Sequence, residues 1–338
     1  MQKEEVKKMS TRKIMKVRQF FIIGGVILLL IISTTGGAPA AEKKFPTKSI
    51  QVIIPFSPGD TDNNLRPFIE KIPEYLGQPL SFVYKPGGGG SLGAGYVAST
   101  KPDGYTLLGT AQSSIIINPV FQKEPGYTLE SFAPISCLVE GPMVLAVQTN
   151  APWKDLKELV EDAKKSPGVI SYSTSGAYGI GHILAEALSK EAGIKLNFIP
   201  SQGTGPAITA LLGGHVQMTS SSLGGPLPHI RAGTLRILAV FGKKRLKNFP
   251  DVPTCTEMGY PIAVPVIYGL LGPKATPRED IETIYLSLKK AVENHRGYID
   301  DRLSMLGAQI NFVGPEEYTA ILKNQHDFFS MMFKYFKK

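Results

Sequence analysis

The chain has 338 residues, of which 43% are hydrophobic and 19% are charged, so it can bury one large core or two cores of about 100 to 150 residues each. The formal net charge is +9; without residues 1–40, Lys and Arg fall from 37 to 30 and Asp and Glu from 28 to 26, which leaves +4. No stripe of basic residues with interleaved aromatics remains, so the composition argues against a nucleic-acid partner.

The first forty residues have the order of a secretory signal peptide. A basic segment ends at Gln19, an apolar run extends from Phe20 to Ile32, and small residues lead to Ala38-Pro39-Ala40. This order predicts cleavage after Ala40 and a periplasmic mature protein. The alternative is an uncleaved membrane anchor, since Phe20 to Ala41 just reaches the length of a membrane span.

From Ile50 onward, apolar β-branched runs alternate with helical patterns, which predicts an α/β chain with largely parallel sheets. The predicted strands are Ile50–Phe56, Leu80–Tyr84, Tyr105–Gly109, Val144–Gln148, Val169–Ser173, Lys195–Ile199, Val216–Ser220 and Leu235–Val240. The predicted helices include Trp153–Lys165, Gly181–Glu191, Pro206–Leu212, Pro277–Asn294 and Pro315–Phe336.

Two segments, Ile50–Arg66 and Val169–Leu188, each read as a strand, a loop rich in Gly, Ser and Thr, and then a helix. Such a loop aims the backbone N–H groups of a helix start out of the carboxyl end of a strand. Ligands bind at that end of open α/β sheets, and a helix N-terminus favours an anion. The pair of loops therefore predicts a clamp for a carboxylate.

Two other motifs have stronger structural than catalytic interpretations. Gly88-x-Gly90-x-x-Gly93 has the letters of a dinucleotide fingerprint without the acidic residue about twenty positions on, so we interpret it as a turn that brings a helix close to the sheet. His182 and Glu186 have the spacing of a metal pair without a third ligand, so we interpret His182 as structural. We expect no catalytic residue, metal or cofactor.

Two cysteines, Cys137 and Cys255, lie far apart in a chain that we expect to fold in an oxidising compartment. A disulfide between them would close a long loop. Sequence alone does not bring their Cα atoms within bridging distance, so we favour two separate buried thiols.

Five sequence blocks in a fixed order carry a resemblance to one known family. They are Phe45-Pro46-x-Lys48-x-Ile50 with Ile54-Pro55-Phe56-x-Pro58-Gly59, Asp62 and Arg66; Lys85-Pro86-Gly87-Gly88-Gly89-Gly90-Ser91-Leu92-Gly93 with Lys101-Pro102-Asp103-Gly104-Tyr105-Thr106-Leu107-Leu108; Tyr172-Ser173-Thr174-Ser175-Gly176 with His182; Pro200-Ser201-Gln202-Gly203 with Leu211-Leu212-Gly213-Gly214; and Ala232-Gly233-x-Leu235-Arg236-x-Leu238-Ala239-Val240 with Pro250-Asp251-Val252-Pro253-Thr254-x-x-Glu257-x-Gly259. Together they resemble the periplasmic receptors of tripartite tricarboxylate transporters, also called the Bug family of extracytoplasmic solute receptors.

The resemblance implies an α/β, two-lobed periplasmic-binding-protein fold of type II, a Venus flytrap with two crossover strands. Residues 45–147 and 266–338 would form lobe 1, and residues 148–265 would form lobe 2. The implied function is to bind a small carboxylate in the interlobe cleft and to deliver it, as a monomer, to the large and small membrane subunits of such a transporter.

The resemblance also implies which residues bind the ligand. They are Phe56, Ser57, Pro58, Gly59, Asp60 and Thr61 in the first loop, Thr174, Ser175 and Gly176 in the second, and Thr110, Ala111, Gln112, Gln202, Gly203 and Ser221 around them, with Ser220 and Ser222 beside Ser221. Pro58 has no N–H group and can only shape its loop.

The sequence departs from the family pattern at Pro58-Gly59-Asp60-Thr61-Asp62, where one glycine is missing and the loop is one residue shorter. Asp60 then brings a negative charge near an anion site. This charge lowers affinity for a polyanion unless Asp60 points away or meets an amino group on the ligand.

Two other functions use the same cleft. One is an exported α/β enzyme acting on a small acid, which would need a positioned acid, base, nucleophile or metal at the loop ends; the loops instead offer mostly Gly, Ser and Thr. The other is presentation of the ligand to a sensor kinase, which the sequence does not separate from transport.

Overall fold

The chain is described here from a computed structural model, which covers residues 45–122, 124 and 126–337. The predicted signal peptide and its cleavage site lie outside these residues. The strands are β1 Ile50–Ile54, β2 Leu80–Tyr84, β3 Thr106–Ala111, β4 Phe132–Gly141, β5 Met143–Gln148, β6 Ser171–Ser173, β7 Asn197–Ile199, β8 Met218–Ser222, β9 Leu235–Val240, β10 Val266–Pro273 and β11 Gln309–Val313.

The α-helices of the described part are α1 Asp60–Ile69, α2 Pro73–Leu76, α3 Ser91–Ala98, α4 Asn118–Phe121, α5 Leu156–Lys165, α6 Ile180–Ala192, α7 Thr204–Leu212, α8 Leu227–Arg231, α9 Arg278–Ser304 and α10 Pro315–Lys337. Helices α2 and α10 begin with proline. Proline suits this position because an N–H group in the first turn has no acceptor within the helix. None of the helices in residues 45–122, 124 and 126–337 is both long and apolar enough to cross a membrane.

The strands form two sheets. The first has the order β11-β4-β10-β3-β1-β2, and the second has the order β7-β6-β8-β5-β9. The first sheet has an apolar inner strand: Ile50, Val52, Ile53 and Ile54 of β1 are fully buried. The second sheet has a buried strand of mainly hydroxyl residues, β8, with the sequence MTSSS. Side chains from both sheets belong to one continuous hydrophobic core.

The chain passes between the sheets twice. It leaves the first sheet at the end of β4, crosses at Pro142 and enters the second sheet as β5, then returns from β9 to β10. Strand β5 lies mostly within the range 45–147 that the family resemblance implied for lobe 1, but it pairs with β8 and β9 of the second sheet.

All eight predicted strands have a counterpart in the structure, but the prediction of largely parallel sheets was wrong. Strands β1, β2 and β3 are parallel, as are β6, β7 and β8. The strands next to the crossings, β4, β5 and β10, pair only antiparallel. The strands that follow a crossing run in the direction opposite to the parallel strands of the sheet they enter. Three strands of the structure, β4, β10 and β11, were not predicted.

Two other interpretations are confirmed. A Cβ atom on Gly93 would lie 2.7 Å from the Cβ of Pro55 and 2.9 Å from the carbonyl oxygen of Lys85, so the Gly-rich motif brings α3 close to the end of β1. Cys137 and Cys255 are free and buried, and burial raises the pKa of each thiol to about 12.

Candidate binding site between the two sheets

The first part of the site is the start of α1. Gly59 has φ +146°, a conformation that glycine adopts without strain, and its N–H donates to Oδ1 of Asp62 at 2.6 Å. Arg66 and the Tyr84 hydroxyl donate to Oδ2 of Asp62 at 2.9 and 3.0 Å. Asp62 therefore fixes the loop at the helix start and is fully engaged there.

The second part is the pair of helix starts that follow β6 and β7. The N–H of Gly176, at φ +142°, donates to Oγ1 of Thr174 at 3.3 Å, which folds the loop before α6. A Cβ atom on Gly181, in the first turn of α6, would lie 2.1 Å from the carbonyl oxygen of Ser220. The helix start thus packs directly on the end of β8.

The loops of the two sheets touch each other. The N–H of Ser57 donates to the carbonyl oxygen of Gln202 at 3.0 Å, and the Ser222 hydroxyl donates to Oδ1 of Asp60 at 2.5 Å. A Cβ atom on Gly89 would lie only 1.9 Å from the carbonyl oxygen of Ala177. In this conformation the loop ends are closed over the space between them.

A cavity of about 20 Å³ lies between these loops, enough for about one ordered water molecule. The starts of α1, α6 and α7 and the ends of β3 and β8 contribute to its wall. Its lining residues are Phe56, Ser57, Asp60, Thr61, Ala111, Ser113, Met143, Ser175, Ile180, Gly181, Thr204, Ser220, Ser221, Ser222, Val266 and Tyr268.

Seven of the predicted site residues line this cavity, namely Phe56, Ser57, Asp60, Thr61, Ala111, Ser175 and Ser221, and so do their expected neighbours Ser220 and Ser222. Eight lie outside the wall: Pro58, Gly59, Thr110, Gln112, Thr174, Gly176, Gln202 and Gly203. Several of these eight support the wall. Gln112, for example, donates to the carbonyl oxygen of Pro265 at 2.8 Å and accepts from the N–H of Ile267 at 2.9 Å, which ties the end of β3 to the start of β10.

Sequence reasoning missed Tyr268 and Val266, which reach the cavity from β10, together with Met143 from β5 and Thr204 from the start of α7. The first two belong to a strand that was not predicted. A signal was present: the run Val266–Leu271 has the apolar composition of a buried strand, although Gly269 interrupts it and Gly272 follows it directly.

Asp60 points into the cavity rather than away from it. Its Oδ2 accepts from the Tyr268 hydroxyl at 2.6 Å and its Oδ1 from Ser222, while Asn64 adds a longer bond of 3.3 Å to Oδ1. Burial raises the pKa of Asp60, the two hydroxyl donors oppose that rise, and nearby Asp62 adds to it. The dominant cause is desolvation of the carboxylate.

A second, larger hollow of about 430 Å³ lies beside Phe121, Tyr178 and His182. His182 accepts from the N–H of Tyr178 at 3.1 Å and stacks on Phe198 at 4.0 Å, and burial lowers the pKa of its imidazole. Glu186 accepts from the Tyr172 hydroxyl at 2.6 Å. These contacts agree with a structural role for His182, and the described residues contain no group of three or more potential metal ligands.

Comparison with known proteins decides the family. Residues 65–304 match the family described as "Tripartite tricarboxylate transporter family receptor", which is most of the chain. This chain belongs to that family. The Bug resemblance is therefore confirmed, and the receptors of this family, not enzymes, are the proteins to which the chain is similar.

Individual relatives agree with this assignment. The protein BugT of Bordetella pertussis is 32% identical over 261 residues, which cover 76% of this chain and 80% of BugT. The periplasmic binding protein BugD matches with a TM-score of 0.81 and 31% identity, covering 86% of this chain and 98% of BugD. MatC from Rhodopseudomonas palustris with bound malate matches with a TM-score of 0.81 and 25% identity, covering 85% and 99% of the two chains. The two-lobed periplasmic-binding-protein fold is thus confirmed.

Proposed function

We propose that this receptor binds a small carboxylate between its two sheets and delivers it to the large and small membrane subunits of a tripartite tricarboxylate transporter. The loops must move apart to admit the ligand, because the closed cavity of about 20 Å³ has room for about one water molecule. The observation that carries the proposal is the wall of the cavity, where three helix starts (Thr61, Gly181 and Thr204) meet a row of hydroxyl side chains. Helix starts attract anions through their unpaired N–H groups and their dipole.

Membership of a receptor family and the malate bound to MatC support a carboxylate ligand. They also favour a binding protein over the alternative of an exported enzyme, because the family-level function is capture of a solute. Among the described residues of the cavity wall, Asp60 is the one acidic side chain and accepts from Ser222 and Tyr268, and the wall has no His or Cys, which are common acid–base and nucleophilic groups of enzymes.

For the architecture, we propose a lobe 1 built on the first sheet and a lobe 2 built on the second. The sheet membership of β5 favours a first crossing at Pro142 rather than after residue 147, while the return near residue 266 stays as predicted from the sequence. We further propose a periplasmic monomer, with residues 1–40 removed on export.

Calorimetric titration of protein purified from the periplasm against mono-, di- and tricarboxylates tests this proposal. Binding to the native state also raises the melting temperature by mass action, so a thermal-shift screen selects the acids to titrate. The expected result is saturable binding of at least one acid with one site per chain. If no carboxylate binds, or if a titrated acid is chemically converted during the experiment, the proposal is wrong.

A further inference from the structure

The charge of the cavity wall is unusual for a polyanion site. Among the described residues that line the cavity there is one carboxyl group, Asp60, and there is no Lys, Arg or His. A ligand with two or three carboxylates would therefore place a negative charge near Asp60 without any side-chain cation to offset the repulsion.

The hydrogen bonds of Asp60 set the polarity of that part of the wall. Ser222 and Tyr268 both donate their hydroxyl protons to Asp60, so what these two hydroxyls can still offer is lone pairs. The carboxylate itself accepts about four hydrogen bonds and receives three, counting the long one from Asn64. This part of the wall therefore presents acceptors and suits a ligand group that donates protons.

A donor lies elsewhere in the wall. Ser220 is fully buried, lines the cavity, and its Oγ has no hydrogen-bond partner among the described residues. A buried hydroxyl without a partner is energetically unfavourable, and a hydrogen bond to a ligand oxygen would remove that cost. Ser220 also packs against the start of α6, where the helix N–H groups favour the same negative charge.

We propose that the natural ligand is an amino acid zwitterion, whose ammonium group binds at Asp60, Ser222 and Tyr268 and whose carboxylate binds at Ser220 and the helix starts. This inference rests on the proposed function and narrows its ligand class. A ligand ammonium pairs with the buried carboxylate and supplies the missing positive charge. In the ligand-free protein burial raises the pKa of Asp60, and an ammonium group beside it would stabilise its charged form.

Matched ligands test the proposal on the parent protein alone. We would titrate alanine, aspartate, glutamate and leucine, each beside the 2-hydroxy acid and the unsubstituted acid with the same carbon skeleton. A hydrogen bond to a charged group is worth about 1.5 to 3 kcal/mol, so we expect at least one amino acid to bind roughly tenfold to hundredfold more tightly than both of its analogues.

The variant Asp60→Asn keeps the size of the side chain and removes its charge, and we expect it to lose most of this preference. Asp301→Asn makes the same charge change at an exposed residue of α9 and should keep it. Circular dichroism and the melting temperature establish that both variants are folded.

The outcomes separate the two proposals. If a hydroxy acid or an unsubstituted acid binds as tightly as its amino acid, or if Asp60→Asn keeps the preference, the zwitterion proposal is overturned while the carboxylate receptor stands. If no member of any series binds, the zwitterion proposal is overturned. The proposed function is overturned as well only if none of the mono-, di- and tricarboxylates of the wider titration binds.

Discussion

The hydroxyl of Ser222 donates a hydrogen bond of 2.5 Å to Oδ1 of Asp60, a residue 162 positions away in the chain. Asp60 opens α1 beside the first sheet, and Ser222 ends β8 of the second sheet. The bond therefore joins the two sheets at the wall of the cavity, so that under the proposed function ligand binding and closure of the loops involve the same atoms.

The charge of Asp60 should lower stability as the pH rises. Burial raises the pKa of Asp60 above its ordinary value of 3.8, so the folded protein holds this proton more tightly than the unfolded chain does. The contribution of Asp60 is fully present below that value and is lost as the pH rises through the folded-state pKa. Urea unfolding of the ligand-free parent and of Asp60→Asn at several pH values should show the variant gaining relative stability from about pH 4 upward. If the stability of the variant relative to the parent stays constant or falls as the pH rises, the raised pKa is contradicted.

Ser220→Ala should separate ligand affinity from stability. Because Oγ of Ser220 has no partner among the described residues, its removal should leave the free energy of unfolding of the ligand-free protein unchanged or raise it by up to about 1 kcal/mol. The same change should weaken binding of the carboxylate a few-fold to tenfold, as expected for one lost hydrogen bond. Chemical denaturation and calorimetry measure the two quantities.

The matched control for this prediction is Ser173→Ala, also fully buried. Its hydroxyl donates to the carbonyl oxygen of Ile199 at 2.7 Å and pairs with the hydroxyl of Ser201 at 2.8 Å. This variant should lose about 1 kcal/mol of stability. Equal losses of stability in both variants would show that Ser220 has a structural partner.

Gly89→Ala should prevent the loops from closing. A Cβ atom at this position would lie 1.9 Å from the carbonyl oxygen of Ala177, and backbone on both sides leaves little room to adjust. We expect at least a tenfold loss of affinity and a larger radius of gyration in small-angle scattering with ligand present.

Gly77→Ala is the control for Gly89→Ala. Both glycines have a positive φ, +77° at Gly77 and +65° at Gly89, but a Cβ atom on Gly77 would have no other atom within 4 Å. Both variants should lose about 1 to 2 kcal/mol of stability to backbone strain, whereas affinity should fall only for Gly89→Ala. Normal affinity in Gly89→Ala would mean that the contact with Ala177 is not needed for binding.

The two thiols should be free and unreactive in the native protein. Burial and the pKa of about 12 of Cys137 and Cys255 keep the reactive thiolate form scarce at neutral pH. A thiol reagent should titrate two groups per chain in denaturant without reductant and react far more slowly under native conditions. A melting temperature that falls on addition of dithiothreitol would instead reveal a disulfide.

The exported protein should begin at Ala41. The pattern Ala38-Pro39-Ala40 ends the predicted signal peptide, so the intact mass of protein from the periplasmic fraction should correspond to residues 41–338. A mass that includes Phe20 to Ile32, together with a membrane fraction location, would show an anchored receptor.

The sequence predicted the fold through patterns that are local. Strands such as β2 and β9 were predicted with the observed bounds, because short runs rich in apolar, aromatic and β-branched residues favour strands locally. The crossing strands β4 and β10 were missed because Pro134, Gly269 and Gly272 interrupt the pattern, while their pairing comes from residues more than a hundred positions apart.

The wall of the cavity was predictable where a loop motif reaches it, as at Ser57, Asp60 and Ser175. It was not predictable where a residue reaches the cavity by tertiary packing. Tyr268 is such a residue, because only pairing of β10 with β3 and β4 brings its hydroxyl to Asp60. The sequence does not determine whether the Asp60 side chain faces the cavity. Its contacts with Ser222 and Tyr268 show that it does.

The most direct test of the account is a crystal structure of the receptor with the tightest-binding acid of the titration series. We predict that the ligand carboxylate lies within hydrogen-bond distance of Ser220 and of the first residues of α6, between the two sheets, in a cavity wider than the 20 Å³ of the closed conformation. Density for the ligand in the hollow beside Tyr178 and His182, with the cavity between the sheets left to water, would contradict the central claim.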